Sequence, residues 1–286
     1  MSIVSRRPRV KAISSAVLEA SATSCVEAFE SMVSNLIQTL DTGSRAAWAA
    51  SNQRLPTRRI PVLLSLPTIR AQMPRVDEGV RREVASHGLT DVESARLRAL
   101  MTLQTAPYTC EADLLRIPMQ TLAEARTEAE VNTASKHLRE VAENGHRELM
   151  TRALVKACEN ASIQAGFSSV DTMRGMNGVM RVVASDDSGR GLVTEIRMDP
   201  QYEPLLETEV VGVTDGSCAR VMDQFDQALQ EQGVRTATPA RKPTGGVCEL
   251  TAARELLRKL QPGRTTKLDD RVRLRKLNQP SKVRLS

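Results

Sequence analysis

"VMRVVASDDSGRGLVTEIRM", Val179 to Met198, joins two segments of strand character through a turn-forming tetrapeptide. The first segment, VMRVVAS, is short and rich in the β-branched residues that strands favour. Asp-Asp-Ser-Gly at 186–189 is typical of a tight turn. In the second segment, GLVTEIRM, apolar and polar residues alternate with the period of two of a strand. The stretch therefore predicts a β-hairpin.

The residues on either side of this hairpin extend it into a module. ETEVVGV, 207–213, predicts a third strand. A helix is expected at Ser217–Gln232, with Cys218, Met222, Phe225 and Leu229 on one face and a stop at Gly233. A further helix precedes the strands. Residues 146–234 are thus predicted to form a helix-β-β-β-helix module, a three-stranded antiparallel meander with both helices on one face.

The chain before the module, residues 1–145, is predicted to be mostly helical. Apolar residues recur at helical spacing from Ile13 to Leu40. Thr90 and Glu93 have the spacing of a capping box. Four prolines fall within 55–75, and this density predicts an irregular connection. The fold class is therefore α+β: a helical N-terminal region, the module, and a basic C-terminal tail.

Charge is concentrated at the two ends of the chain. Residues 1–11 carry four basic residues and no acid, and 235–286 carry fourteen Lys or Arg against four acids. The whole chain is +6, so the body between these ends is acidic. Residues 235–286 are predicted to be a basic linker, a short helix and a tail. Two interpretations of the basic end stay open: it binds nucleic acid or an acidic partner, or it is a solvated segment that only keeps the protein in solution. The candidate contacts are Arg254, Arg258, Lys259, Arg264, Lys267, Arg271, Arg273, Arg275, Lys276, Lys282 and Arg284.

The cysteines and the hydropathy pattern suggest where the protein acts. There are five cysteines, odd in number and widely dispersed, as expected of reduced thiols. The N-terminal segment lacks the apolar core of a secretory signal, and no window approaches 18 apolar residues. These features predict a cytoplasmic protein with no membrane segment. The sequence also contains no Cys-x-x-Cys, His-x-x-x-His or Walker pattern, and no metal or cofactor is expected.

Asp215, Gly216, Ser217 and Cys218 raise the possibility of thiol chemistry. A cysteine at the start of a helix is favoured as a thiolate by the helix dipole. This tetrapeptide resembles the Asp-Gly-x-Cys that opens the catalytic helix of ovarian-tumour-type cysteine deubiquitinases, which implies a cysteine nucleophile. The family's histidine base lies downstream, whereas the three histidines here, His87, His137 and His146, are all upstream. The prediction is that these four residues form a structural strand-to-helix corner, with Cys218 in the core.

The helix-β-β-β-helix order is also that of double-stranded-RNA-binding domains. Those domains need a lysine cluster at the start of the second helix to bind phosphates. Here Arg220 alone occupies that region. If the protein binds nucleic acid, the basic C-terminal segment is the better candidate, through phosphates and without sequence reading.

A resemblance of residues 190–234 suggests a class of partner. Gly216, Cys218, Phe225, Leu229 and Gly233 match the spacing of a short bacterial β-β-α family of unknown function. In that family a cysteine opens an amphipathic helix of about four turns. Its members tend to be encoded beside MoxR-type AAA+ ATPases. The resemblance implies an accessory role to an ATP-driven machine and no catalytic one.

Three functions remain open from the sequence. The leading hypothesis is a non-catalytic cytoplasmic adaptor or assembly component that binds a partner protein and is accessory to an AAA+ ATPase system. The alternative is a nucleic-acid-binding accessory protein that acts through its basic C-terminal segment. The third is a cysteine hydrolase at Cys218.

Overall fold

The computed structural model describes most of the chain and divides it into two compact units. It describes residues 3–7, 10–14, 16–54, 62–175, 178–199, 201, 203–244 and 247–260, without the side chains of residues 7 and 16–26. A helical unit comprises residues 11–153 and 200–203. A sheet unit comprises residues 1–10, 154–199 and 204–286. The predicted boundary at 145/146 thus differs from the observed division, which falls inside one helix.

The helical unit is built from helices around an apolar core of Leu, Met, Val and Ala side chains. Two short strands, β2 and β3, are antiparallel, with Ala12 opposite Leu64 and Ile13 opposite Leu63. The last helix, α6, continues past residue 153. The elements are β2 (Val10–Ile13), α1 (Ala16–Thr39), α2 (Thr42–Asn52), β3 (Leu63–Leu64), α3 (Leu66–Ala85), α4 (Asp91–Thr105), α5 (Ala112–Glu124) and α6 (Glu128–Gln164).

Local capping signals fix where several of these helices begin. The Ser44 N–H donates to Asp41 Oδ1 at 2.7 Å, which caps α2. The predicted capping box of α4 is confirmed: the Thr90 N–H donates to the Glu93 carboxylate, and the Glu93 N–H donates to Thr90 Oγ1. Such reciprocal bonds satisfy N–H groups that have no partner within the helix.

The predicted proline-rich connection at 55–75 is wrong over its second half. α3 begins at Leu66 and runs through both Pro67 and Pro74. Pro67 lies in the first turn, where an N–H would have no helical partner. Pro74 lies in the helix interior, and there the buried side chains of Ile69 and Met73 hold the helix against the core. Packing therefore outweighs the local penalty. Residues 55–61 lie outside the described part of the chain.

The sheet unit contains a six-stranded antiparallel sheet. β5 and β6 form the predicted hairpin, and β7 pairs with β6 as the predicted third strand. The sheet is larger than the predicted meander, because β1 and β9 join it from the two ends of the chain and a further strand, β4, precedes the hairpin. Its order is β4 (Ser169–Arg174), β5 (Met180–Ser185), β6 (Gly191–Met198), β7 (Pro204–Val211), β1 (Ile3–Arg7) and β9 (Ala240–Pro243).

Besides its sheet and the end of α6, the described part of the sheet unit contains two helices and a short strand. α7 (Cys218–Glu231) follows the strand-to-helix corner, β8 spans Val234–Thr236, and α8 spans Thr251–Leu260. The region predicted to be a linker, 235–246, therefore contains part of β8 and all of β9. The predicted tail, 264–286, lies outside the described residues.

The two helices lie on opposite faces of the sheet. Successive strand residues point to opposite faces, and register partners share a face. Ser5, Thr208 and Arg241 share one face, and Arg241 is ion-paired to Asp223 and Asp226 of α7. We call this the α7 face.

The other face is in contact with α8. Val193 and Val211 form an apolar cluster with Ala252, Ala253 and Leu256 of that helix. We call this the α8 face. The prediction that both helices of the module lie on one face concerned α6 and α7, and it did not include α8.

The mixture of helices and antiparallel strands confirms the predicted α+β class. In the described part of the chain, none of the helices combines the length and apolarity needed to cross a bilayer.

Candidate functional site

The strand-to-helix corner holds Cys218 in the core of the sheet unit. Gly216 has φ 80°, a left-handed conformation that favours glycine. The Ser217 N–H donates to Asp215 Oδ1 at 3.0 Å, and Ser217 is the N-cap position of α7, without a side-chain cap bond. Cys218 is buried, and burial raises the pKa of its thiol. This environment disfavours the thiolate that a nucleophile requires.

His146 has a structural role in the helical unit. Its Nδ1 accepts the Thr109 N–H at 2.9 Å, and its Nε2 lies 2.7 Å from the carbonyl oxygen of Leu64. A neutral imidazole that accepts at Nδ1 and donates at Nε2 satisfies both contacts. The ring therefore joins the backbone of β3 and that of the loop before α5 to α6, and both of its nitrogens are used.

Ser51, His87 and Glu83 form the polar cluster that comes nearest to a catalytic triad. Ser51 Oγ lies 3.0 Å from His87 Nε2 and donates to Glu83 Oε1 at 3.2 Å. In a triad the acid contacts the other ring nitrogen and orients the base. Here Glu83 Oε1 lies 3.6 Å from the same Nε2, and Ser51 is completely buried. The cluster therefore joins α2 to the end of α3 and does not present a nucleophile to a substrate.

The predicted basic site begins in α8, and only its first three residues are described. Arg254 is half-buried and donates from Nη2 to the Cys248 carbonyl oxygen at 3.4 Å. Arg258 and Lys259 are exposed in the last turn of the helix. The remaining predicted residues lie outside the described part of the chain. They are Arg264, Lys267, Arg271, Arg273, Arg275, Lys276, Lys282 and Arg284.

A second set of charges lies on the α8 face of the sheet. Arg181, Glu195, Glu207 and Arg6 are direct register partners on four neighbouring strands, β5, β6, β7 and β1. Side chains in such a line are about 5 Å apart. Three further charges join this line by ion pairs. We call the seven residues the charged row: Arg6, Arg181, Glu195, Arg197, Glu207, Lys242 and Glu249.

The ion pairs of the charged row are continuous. Arg181 Nε lies 2.9 Å from Glu195 Oε1, and Arg197 contacts the other oxygen of the same carboxylate. Arg197 Nη2 also lies 3.5 Å from Glu207 Oε2, so it bridges two like charges on adjacent strands.

The row continues to the edge strand β9. Arg6 Nε lies 3.0 Å from Glu207 Oε1, and its Nη2 lies 3.0 Å from Glu249 Oε2. Lys242 Nζ on β9 lies 2.8 Å from Glu249 Oε1. Each cation therefore has a carboxylate neighbour.

The charged row is layered by sign. The side chains of its three carboxylates are 2 to 24 % exposed, whereas those of its four cations are 25 to 70 % exposed. The carboxylates therefore lie beneath, and the cationic groups form the outer surface. This surface can bind carboxylates or amide oxygens of another molecule, since Arg carries five N–H donors and the row engages one or two of them in each arginine.

An exposed methionine continues the same line at the β4 edge. Met173 is the register partner of Arg181 and is 43 % exposed. Gly175, just beyond β4, makes room for the Arg181 guanidinium: a Cβ there would lie 3.1 Å from Arg181 Cζ. The backbone at this edge therefore positions Arg181 close to Met173.

Glu209 is a further acidic residue on the α8 face and is not a member of the charged row. It is fully buried, and its two oxygens accept the backbone N–H groups of Glu249, at 3.1 Å, and Leu250, at 2.8 Å. These two residues immediately precede α8. Burial raises the pKa of Glu209 to about 7, against the opposing effect of the two N–H bonds.

No family model, curated protein or solved structure matches this chain. Among the described residues, no three His, Cys, Asp or Glu side chains converge as a metal site would require.

Sequence reasoning missed the charged row and Glu209. A signal was present, because Glu195 and Arg197 lie two residues apart on β6, and Glu207 and Glu209 lie two residues apart on β7. Alternation of this kind indicates a solvent-facing side of a strand. Glu195 pairs with Arg181 on β5 and with Arg197 two residues away on β6, and Glu209 accepts two backbone N–H groups from the segment before α8. The sequence of the strands does not reveal these partners.

Proposed function

We propose that this protein is a non-catalytic adaptor or assembly component that binds a partner protein through the α8 face of its sheet. The observation that carries the proposal is the layered charged row, which ends at an exposed methionine. Arg and Met are enriched at protein interfaces, and a mixture of apolar and cationic groups is typical of them.

The dimensions of the surface support a protein partner. The line from Met173 on β4 to Lys242 on β9 crosses six strands, and strands lie about 4.8 Å apart, which gives roughly 24 Å. One side of a standard protein interface buries about 800 Å², a patch of similar width. The partner we infer is a protein surface with carboxylates and backbone carbonyl groups that accept from the outer guanidinium groups.

The pairing of the cations favours a protein over a nucleic acid for this surface. Phosphate binding gains free energy when cations replace condensed counterions on the nucleic acid. In the charged row the carboxylates already neutralise most of the positive charge, so four cations present a net charge of about one. Complementary mixed charges instead give orientation and specificity between proteins.

An AAA+ ATPase is the first partner to test. This choice rests on the resemblance of residues 190–234 to the family encoded beside MoxR-type ATPases. The dispersed cysteines support action in the cytoplasm, where thiols stay reduced.

The test compares two double variants of the full chain as bait in lysate of the native host. Arg6→Ala/Arg197→Ala removes two outer cations of the charged row. Arg81→Ala/Arg82→Ala is the matched control, since both arginines are exposed and paired to Glu78 on α3. The wild type and the control should retain the same partner, and the Arg6/Arg197 variant should retain at least about tenfold less. The partner is then purified, and its affinity for the three proteins is measured.

Equal affinity of all three proteins would rule out the charged row as the docking surface. A catalytic role for Cys218 would be indicated if a thiol-directed activity probe labelled the wild type and failed to label Cys218→Ser.

The exposed basic turn of α8 supports nucleic-acid binding as a second candidate. Arg258 and Lys259 lie together at its C-terminal end, and the chain beyond is rich in Arg and Lys. Binding of this kind would weaken steeply with salt and would be lost on removal of residues 264–286. Salt-independent retention of a protein, unchanged by that truncation, would exclude it.

A further inference from the structure

One edge of the six-stranded sheet is open to a further strand. In the described part of the chain β4 pairs with a single strand, β5, and five of its six side chains are exposed. An edge strand presents N–H and C=O groups that can pair with a strand of another chain. β4 also contains no proline, which would remove an N–H from such a pairing. Its backbone can therefore accept another strand.

On the α8 face this edge carries an acid, an apolar side chain and a cation in succession. Asp171 and Met173 are exposed and lie on this face, since Met173 is the register partner of Arg181. Just beyond β4, a Cβ on Gly175 would lie 3.1 Å from Arg181 Cζ, so the guanidinium group occupies the space that a side chain at position 175 would fill. Charges of opposite sign therefore lie two residues before and two residues after Met173.

On the α7 face the same edge carries a second pair of opposite charges. Thr172 Oγ1 donates to Glu159 Oε1 of α6 at 2.6 Å, which places a carboxylate beside position 172. Lys156 Nζ lies 3.2 Å from the other oxygen of this carboxylate. Arg174 is exposed two residues after Thr172. On this face too, opposite charges flank position 173, here one residue before it and one residue after it.

We propose that two copies of this chain associate through β4, with the two strands antiparallel about a two-fold axis that passes through Met173. An axis normal to the sheet keeps each face continuous from one copy to the other. Position 171 then lies opposite 175 of the second copy, and position 172 lies opposite 174. Asp171 meets the guanidinium of Arg181, Glu159 meets Arg174, and the two methionines meet each other on the axis. By symmetry each ion pair occurs twice, as in an isologous interface.

The charges select this register among the antiparallel pairings of β4. With Asp171 on the axis, two aspartates would lie directly opposite each other, which is destabilising. With Thr172 on the axis, Asp171 would face Met173 and Arg174 would face Val170, so neither charge would face a counter-charge. Complementary charges in the Met173 register favour association and suppress the alternatives.

The inference goes beyond the proposed function, because it requires no partner protein. The two sheets would form one continuous sheet whose α8 face carries two charged rows. Met173 would be covered by the second copy, whereas the outer cations Arg6, Arg197 and Lys242 would stay available to a partner. A single protein would thus present its docking surface twice.

Sedimentation velocity of the full chain over a range of concentrations measures the association. The wild type should shift from the monomer mass towards twice that mass as concentration rises. Asp171→Lys/Arg174→Glu exchanges two exposed charges of β4 at constant net charge and sets like charges opposite each other, so association should weaken at least about tenfold. Asp113→Lys/Arg116→Glu makes the same exchange at an exposed pair on α5 and should associate as the wild type does. A monomeric wild type, or equal association of the two variants, would overturn the proposal.

Disulfide trapping tests the register. Cysteines at position 173 would be directly opposed, with Cα atoms roughly 4.5–5.5 Å apart, which is within the range of a disulfide. Met173→Cys should therefore give a covalent dimer on treatment with oxidised glutathione. Cysteines at position 172 would be offset by two residues along the strands, more than about 7 Å apart, and Thr172→Cys should stay at the wild-type baseline. Trapping of Thr172→Cys as readily as Met173→Cys, or of neither, would contradict the assignment.

The Arg6→Ala/Arg197→Ala variant separates this inference from the proposed function. Both arginines lie away from β4, so the variant should associate as the wild type does while it loses the partner. A monomeric wild type that binds a partner through Arg6 and Arg197 would remove the inference and leave the proposed function. A dimer trapped at position 173 that binds no partner through these arginines would do the reverse.

Discussion

The two faces of the six-stranded sheet differ in how they are covered. The α7 face packs the fully buried side chains of Phe225, Met222 and Leu229. The α8 face is covered by one ten-residue helix over part of its area, and the rest carries the charged row. One face therefore supplies the core of the unit, and the other carries a charged surface beside one short helix. From this difference we expect truncation of a buried side chain to destabilise the protein more on the α7 face than on the α8 face.

Phe225→Ala should have the largest effect on stability. Phe225 is fully buried beneath α7, so truncation leaves a cavity, and the expected loss is about 3–5 kcal/mol in the free energy of unfolding. Chemical denaturation monitored by circular dichroism measures this loss. Gln227→Ala on the exposed side of the same helix is the control and should stay within about 0.5 kcal/mol. A loss for Phe225→Ala below that of Leu256→Ala on α8 would contradict the assignment of the main core to the α7 face.

Glu195→Ala should have the second-largest effect on stability. It tests whether the charged row contributes more to stability than an exposed surface ion pair does. Glu195 is buried and contacts both Arg181 and Arg197, so its removal takes the carboxylate partner from Arg181 and leaves Arg197 with Glu207 alone. Breaking a buried pair costs about 3–5 kcal/mol, and the partial exposure of both arginines reduces the expected loss to about 2 kcal/mol. Asp113→Ala removes the exposed pair with Arg116 and should be nearly silent. If Glu195→Ala and Asp113→Ala both reduced stability only slightly, the ion pairs of the charged row would be screened by water as an exposed surface pair is.

Some strands of the six-stranded sheet could be predicted from the sequence, and others could not. β5, β6 and β7 follow one another along the chain, and turns and alternation suffice to predict them. β1 pairs with β7 across about 200 residues, with Val4 opposite Glu209, and no local signal reports a pairing of that range. β4 and β9 are edge strands with mostly exposed side chains, so they lack the apolar pattern by which strands are recognised.

The candidate site shows the same limit. Asp215 to Cys218 were predicted to form a corner because turn and cap residues act locally, and the structure has Gly216 in the turn and Cys218 buried. The charged row depends on which strands are neighbours, and that order follows from tertiary packing. Pro74 shows the converse, because the local rule against proline in a helix was overruled by core contacts.

Leu256→Ala should have an effect of similar size that is confined to α8. Its side chain packs beside Gly191 in the apolar cluster of the α8 face, and losing it weakens the α8 contact by about 2 kcal/mol. Because α8 is a short cover, we expect the amides of 251–260 to lose protection while those of α7 keep theirs. Lys259→Ala, at an exposed position of the same helix, is the control. Loss of protection in both helices by the same factor would mean that α8 is part of one cooperative core.

Arg6→Ala should have the smallest effect on stability and a large effect on partner binding. Arg6 is 56 % exposed and pairs with Glu207 and Glu249, and exposed ion pairs contribute about 0–1 kcal/mol each. Its guanidinium lies in the outer layer of the charged row, where a partner's carboxylate would meet it. Calorimetric titration with the purified partner should show weaker binding by about tenfold or more. A variant that is as stable as the wild type and binds equally well would leave the α8 face without a role in docking, and the contrast between the two faces would then reflect stability alone.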